Sequence, residues 1–136
     1  MIYELFLIPE TFKDIDAMIK ILANDGIHPD GRLLLEEADY LVEEDKIPQE
    51  ELVNRIGEYD VLIVRSATKV TKAVIEAGKN LKIIARGGVG LDNIDLEYAQ
   101  SKGIEVYNTP MASSRAVAEL AMAHLFSLAR MLQRSN

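Results

Sequence analysis

The sequence predicts a doubly wound α/β domain, a parallel sheet with helices on both faces. Two observations carry that prediction. Short, continuously apolar runs such as "VLIV" (Val61–Val64) read as strands buried on both faces. Segments of helical character alternate with these runs, joined by loops of a few residues, which is the pattern of parallel βαβ units.

Taken in order, "IKILA" (Ile19–Ala23) is the first strand, ended by the turn-forming "NDG". "PDGRLLLEEA" is a helix with Pro29 in its first turn, where a missing N–H costs little. "DYLVEE" is a short strand. "PQEELVNRIGEY" is a helix with Pro48 at its start and Gly57 near its end. "DVLIVRS" is a central strand, and "VTKAVIEAGKN" a short helix closed by Gly78. "LKIIAR" is the next strand. "DLEYAQSKG" follows as a helix capped by Asn93 or Asp95, with Gly103 past its end. "IEVYN" is the last strand. Five strands thus alternate with helices from Ile19 onward, which a flavodoxin-like doubly wound five-stranded sheet satisfies.

Two segments fall outside this rhythm. Residues 1–17 form an N-terminal extension, with "IYELFLI" as an extra edge strand and "PETFKDIDA" as a short helix, and Met18 stands where an alternative start would fall. Residues 18–110 make the sheet domain, and 111–136 a long C-terminal helix. That helix has Ser113 or Ser114 as cap and Arg130 and Arg134 toward its C-terminus, where cations suit the dipole. Its polar residues (Arg115, Glu119, Ser127, Arg130, Arg134) make only a narrow stripe, and Val117, Leu120, Met122, Leu125, Phe126, Leu128 and Met131 fill the rest. One sheet face cannot cover so much of a helix, so a further domain or a second copy is expected to pack on it.

Composition narrows the function. With 49% apolar and 27% charged residues the chain is globular, and a net charge of −7 argues against a nucleic-acid surface. There is no cysteine, which excludes disulfides, thiolate zinc sites and a cysteine nucleophile and fits a cytoplasmic protein. No apolar run approaches the roughly 18 to 20 residues that span a bilayer. The start lacks the basic n-region of a signal peptide. His28 and His124 lack ligand spacing, so no metal is expected. His124 suits a core or interface role. No nucleophile elbow or Walker loop occurs, and no residue stands out as a general base.

The stretch "RGGVG" (Arg86–Gly90) at the end of a strand admits three readings. A dinucleotide fingerprint starting at Gly88 and Gly90 would need a small residue where Asn93 stands, which argues against that one. The second is a backbone anion site. Gly87, Gly88 and Gly90 can take positive φ and admit a ligand to the main chain, and Arg65, Ser66, Asn108 and Thr109 lie on loops at the same sheet edge. The third is a plain tight turn beside solvated arginines. The residues alone leave the second and third open.

Two longer stretches, "YDVLIVRSATKVTKAVIEAGKNLKIIARGGVGLDNIDLEYAQSKGIEVYNTP" and "AVAELAMAHLFSLAR", resemble the substrate-binding domain of the D-isomer-specific 2-hydroxyacid dehydrogenases. The likeness runs from about Ile19 to the end. It implies that the N–H groups of the Gly88-Val89-Gly90 loop hold a substrate carboxylate. By the same likeness Arg65 with Ser66, and Arg86, lie near a phosphate, and Asn108 lines the substrate and nicotinamide edge. Met111 and the pair after it fall in a variable part of the family's loop. The form "RSATKVT" is the one found with 3-phosphoglycerate, a small anionic substrate, rather than with glyoxylate, lactate or formate. Family members oxidise C2 with NAD. They carry the dinucleotide loop and the catalytic arginine, glutamate and histidine in a Rossmann domain entered from the last helix, which also helps form a homodimer. None of those catalytic or NAD-binding groups is matched here, so the resemblance implies an incomplete, inactive lobe. A non-enzymatic module that binds or self-associates through the Ser113–Arg134 helix is the competing class.

Overall fold

A computed structural model describes residues 18–130, and the expected strand and helix within 1–17 lie outside them. The strands are β1 (Lys20–Ala23), β2 (Leu41–Glu43), β3 (Val61–Val64), β4 (Ile83–Arg86) and β5 (Glu105–Asn108). The helices are α1 (Pro29–Glu37), α2 (Gln49–Arg55), α3 (Lys72–Ala77), α4 (Leu96–Ser101) and α5 (Ser114–Ala129). All strands are parallel, in the order β2-β1-β3-β4-β5. That is the flavodoxin-like doubly wound order, with its reversal between β1 and β3.

The two faces of the sheet bury different halves of each strand, as the alternation of side chains requires. Leu22, Leu62, Val64 and Ile84 point to one face and join Leu52, Ile56, Tyr59, Val74, Ile75 and Ala99 from α2, α3, α4 and their connections. Ile21, Ala23, Val61, Ile63, Ile83 and Ala85 point to the other, where Leu35 of α1 packs. All of β3 is buried, which explains why its sequence is continuously apolar rather than alternating.

The helices are shorter than the sequence suggested because turn chemistry claims their ends. The helix beginning at Pro48 tightens into a 3₁₀ turn at Ile56–Glu58. Asp39, expected to open β2, instead takes φ 62° as the left-handed residue after α1. Its N–H bonds Glu36 O, and the N–H of Tyr40 bonds Leu35 O, which closes a Schellman motif. Gly103 (φ 71°) ends α4 the same way, with Gly103 N–H on Gln100 O and Ile104 N–H on Ala99 O. Of the two residues expected to cap α4, Asp95 does so, accepting the Tyr98 N–H at 3.1 Å.

α5 stands apart, with no buried residue along its 16 positions. Ser113 occupies its N-cap position without a side-chain capping bond. Val117, Leu120, Leu125, Phe126 and Leu128 are each about 60% exposed or more. No helix of the described residues is long and apolar enough to cross a membrane.

Candidate functional site

Register brings the expected site residues together. Val64 pairs with Arg86, and Arg86 pairs with Asn108, so three strands end level. The loops that leave them, starting at Arg65, Gly87 and Thr109, open side by side at the carboxyl edge of the sheet, where doubly wound folds bind ligands.

The Gly88–Gly90 segment is held by its carbonyls. The Thr109 N–H donates to Gly88 O at 3.1 Å, Asn108 Nδ2 donates to Val89 O at 2.7 Å, and Arg86 Nη1 donates to Gly90 O. A trans peptide points its N–H opposite to its C=O, and none of these peptides is cis. Fixing three successive carbonyls therefore turns the N–H groups of Val89, Gly90 and Leu91 the other way. Those three N–H groups have no acceptor among the described residues, whereas the N–H of Gly88 is spent on Arg86 O at 2.9 Å. Consecutive free N–H groups on an exposed loop form a receptor for an anion. Val89, 49% exposed, sits at its centre.

This geometry revises one expectation. The glycines of the loop were expected to exploit positive φ, but the described glycines that do so are Gly26 and Gly103. Glycine is needed at 88 for space: a Cβ there would meet Arg86 Nη1 at 2.8 Å and Cζ at 3.1 Å. Arg86, expected beside a phosphate, also braces the loops around the site. Its Nε donates to Arg65 O at 3.2 Å and its Nη1 to Gly90 O, so it ties the β3 loop to the β4 loop. Asn108 likewise serves the site by orienting the Val89–Gly90 peptide.

Arg65 is the cation left over. It is exposed, its guanidinium has no partner among the described residues, and its stem crosses the glycine loop, with Cγ 3.6 Å from where a Cβ of Gly87 would lie. Ser66 beside it is exposed and its hydroxyl has no partner among the described residues. A free guanidinium next to an array of free N–H groups suits a ligand with two anionic ends.

Two residues that sequence reasoning took for turn formers or caps hold this loop. Asn93 Nδ2 donates to Arg65 O at 3.0 Å and to Thr68 O at 2.8 Å, while its Oδ1 is buried without a partner. Asp25, after β1, accepts the N–H groups of Arg65 at 2.7 Å and Thr68 at 3.1 Å and the Thr68 hydroxyl at 2.7 Å. Burial alone would raise its carboxyl. The Thr68 hydroxyl and the N–H groups of Arg65, Thr68 and Ala67 outweigh burial and hold it below the ordinary carboxylate value.

The glycine loop does not fit a dinucleotide fingerprint. The third small position of a fingerprint is Asn93, whose side chain fills the space between the loops. Nor is any group of three His, Cys, Asp or Glu side chains among them placed to hold a metal. Of the histidines, His28 caps α1, its Nδ1 accepting the Asp30 N–H at 3.3 Å, and His124 lies on α5.

The fold is a doubly wound α/β domain whose polar loops gather at the carboxyl edge of the sheet, and sequence comparison places it in a family. The chain belongs to the D-isomer specific 2-hydroxyacid dehydrogenases, whose catalytic-domain family matches residues 21–135. It is 49% identical over 121 residues to a hydroxypyruvate reductase of Thermotoga maritima, covering 88% of this chain and 40% of that one. It is 48% identical over 119 residues to a D-3-phosphoglycerate dehydrogenase of Methanocaldococcus jannaschii, covering 88% and 23%. Among solved structures, the NAD+-bound 3-phosphoglycerate dehydrogenase of Entamoeba histolytica superposes with a TM-score of 0.71 at 34% identity, covering 82% of this chain and 39% of that one. The chain thus spans less than half the length of each of these relatives.

Proposed function

We propose that this chain is the substrate-binding lobe of an NAD-dependent D-3-phosphoglycerate dehydrogenase, which oxidises the C2 hydroxyl of 3-phosphoglycerate to give 3-phosphohydroxypyruvate. One observation supports the choice of substrate above the rest: an unpaired Arg65 guanidinium beside the free N–H groups of Val89, Gly90 and Leu91. The N–H array receives the carboxylate, and Arg65 with Ser66 receives the phosphate. Arg86, Asn108, Asn93 and Asp25 hold those groups in place. NAD, when bound, supplies the hydride acceptor. The dinucleotide site and the general base belong to the length of the relatives that this chain does not span.

A second reading has its own support, since the hydroxypyruvate reductase is as similar as the phosphoglycerate dehydrogenase. Steady-state assays of the complete enzyme separate them. Phosphorylated substrate is expected to show the higher kcat/KM, by tenfold or more against D-glycerate, as loss of one charge-assisted contact of roughly 1.5 to 3 kcal/mol requires. Equal values for the two acids would overturn the phosphate assignment and favour the reductase.

The bare apolar surface of α5 is, in the same proposal, where a second copy or the remainder of the enzyme packs. A helix of this length gains little stability alone, and most of what holds a helix in a protein is burial of its apolar face. The 136-residue chain by itself is expected to sediment above its monomer mass. A clean monomer whose α5 resists proteolysis would contradict this.

A further inference from the structure

We propose that Asp25 is a positioning residue for substrate binding: its carboxylate fixes the backbone of Arg65 so that the guanidinium leaves from one place. The inference rests on Arg65 being a substrate contact, as proposed above.

The main chain of the Arg65–Thr68 turn is held from two sides. Beneath it, Asp25 Oδ2 accepts both the Arg65 and Thr68 N–H groups, and Oδ1 accepts the Thr68 hydroxyl. From the β4 loop, Asn93 Nδ2 donates to the Arg65 and Thr68 carbonyls, and Arg86 Nε also donates to Arg65 O. Both polar groups of the Arg65 peptide backbone are therefore specified, whereas its side chain is exposed.

Asp25 is in turn held by a buried relay. Thr68 and Asn24 are each 4% exposed. Asn24 Nδ2 donates to Thr68 Oγ1 at 2.8 Å, so the single hydroxyl proton of Thr68 is free to point at Asp25. Asn24 is itself fixed by the backbone of Ile47, whose N–H reaches its Oδ1 at 2.8 Å and whose carbonyl accepts its Nδ2 at 3.2 Å. Gly26, at φ 72°, turns the chain away directly after Asp25.

The sign of the charge separates positioning from contact. A carboxylate beside an anion site repels the ligand, so Asp25 is not there to touch it. Among the described residues, the bonds to its oxygens come from the Arg65–Thr68 turn. Held geometry matters because a flexible arginine must lose its freedom on binding, and a fixed Cα leaves less to lose.

The test compares Asp25→Ala with Asp25→Asn in the complete enzyme, reading substrate and NAD kinetics together with amide exchange. Asparagine keeps one oxygen for the two N–H groups, and its amide can donate to a rotated Thr68 hydroxyl, so the scaffold survives without the charge. Alanine strands both N–H groups. Asp25→Ala is expected to raise KM for 3-phosphoglycerate at least tenfold, with kcat changed less than threefold and KM for NAD unchanged. Exchange at the Arg65 and Thr68 amides should accelerate while Leu62 and Ile84 stay protected. Asp25→Asn should restore KM to within about threefold. An Asp25→Ala enzyme with faster Arg65 and Thr68 exchange but unchanged KM overturns the inference. So does an asparagine variant as impaired as alanine, because the charge rather than the geometry would then be at work. If Asp25→Ala does not fold, Thr68→Val, which keeps the volume and removes the hydroxyl's bonds to Asp25 and Asn24 while leaving both backbone N–H bonds to Asp25, is read instead: a two- to fivefold rise in substrate KM supports the inference and no rise overturns it. Arg65→Ala run alongside distinguishes the failures. Unchanged KM in that variant removes the substrate assignment itself, whereas a raised KM there with none at Asp25 removes only the positioning role.

Discussion

Replacing Arg65 by alanine in the complete dehydrogenase is expected to raise KM for 3-phosphoglycerate roughly ten- to a hundredfold, with little change in kcat or in KM for NAD. The magnitude follows from losing one charge-assisted contact, about 1.5 to 3 kcal/mol. The effect should fall on binding rather than on chemistry, because the phosphate lies at the end of the ligand away from C2 and is held equally in ground and transition states. Little stability should be lost with it, since the guanidinium is exposed and bonds no protein group among the described residues. Arg65→Lys should recover only part of the affinity, because an ammonium replaces the planar fork with a point charge. A KM for 3-phosphoglycerate that does not move in Arg65→Ala would remove Arg65 from the site. The phosphate would then lack the cation proposed to receive it.

What the sequence made legible, and what it hid, divides along physical lines. Strand β3 is readable because burial on both faces leaves no polar position to obscure it, and β4 because Arg86 at its end is its one polar residue. Pro29 is readable because its ring fixes φ and suits a first helical turn, and Gly103 because glycine takes the positive φ of a helix end without steric cost. Asp39 is hidden: a non-glycine residue in a left-handed cap looks like the start of the next strand. The site divides in the same way. Arg65, the glycine loop and Asn108 stand out as charge, flexibility and polarity at strand ends. The groups that hold them do not. Asp25 meets Arg65 across 40 positions and Asn93 meets it across 28, and each already has a local explanation, Asp25 in the turn-forming "NDG" and Asn93 as a candidate helix cap. Arg86 illustrates the converse, since its charge is conspicuous while its Nε and Nη1 are already engaged by carbonyls. A sequence displays which groups are polar; only the fold shows which are already occupied.

That distinction sets the second large effect, at Gly88. An alanine Cβ there would lie 2.8 Å from Arg86 Nη1, closer than real Cβ contacts allow, so something must move. The obstacle is the far end of a flexible side chain rather than backbone, so the guanidinium can swing away and the fold should lose only a few degrees of Tm. The place it vacates is the one from which it bonds Arg65 O and Gly90 O. Gly88→Ala is therefore expected to lower kcat/KM on the order of a hundredfold, the scale of displacing a binding group by about an ångström, in a protein that remains folded. Arg86→Ala should produce a comparable loss by the direct route. If both act through the same two bonds, the double variant should be scarcely worse than either single one, a strongly non-additive cycle. Additive losses would mean that Gly88 serves the ligand directly and that the Arg86 clamp is incidental to it.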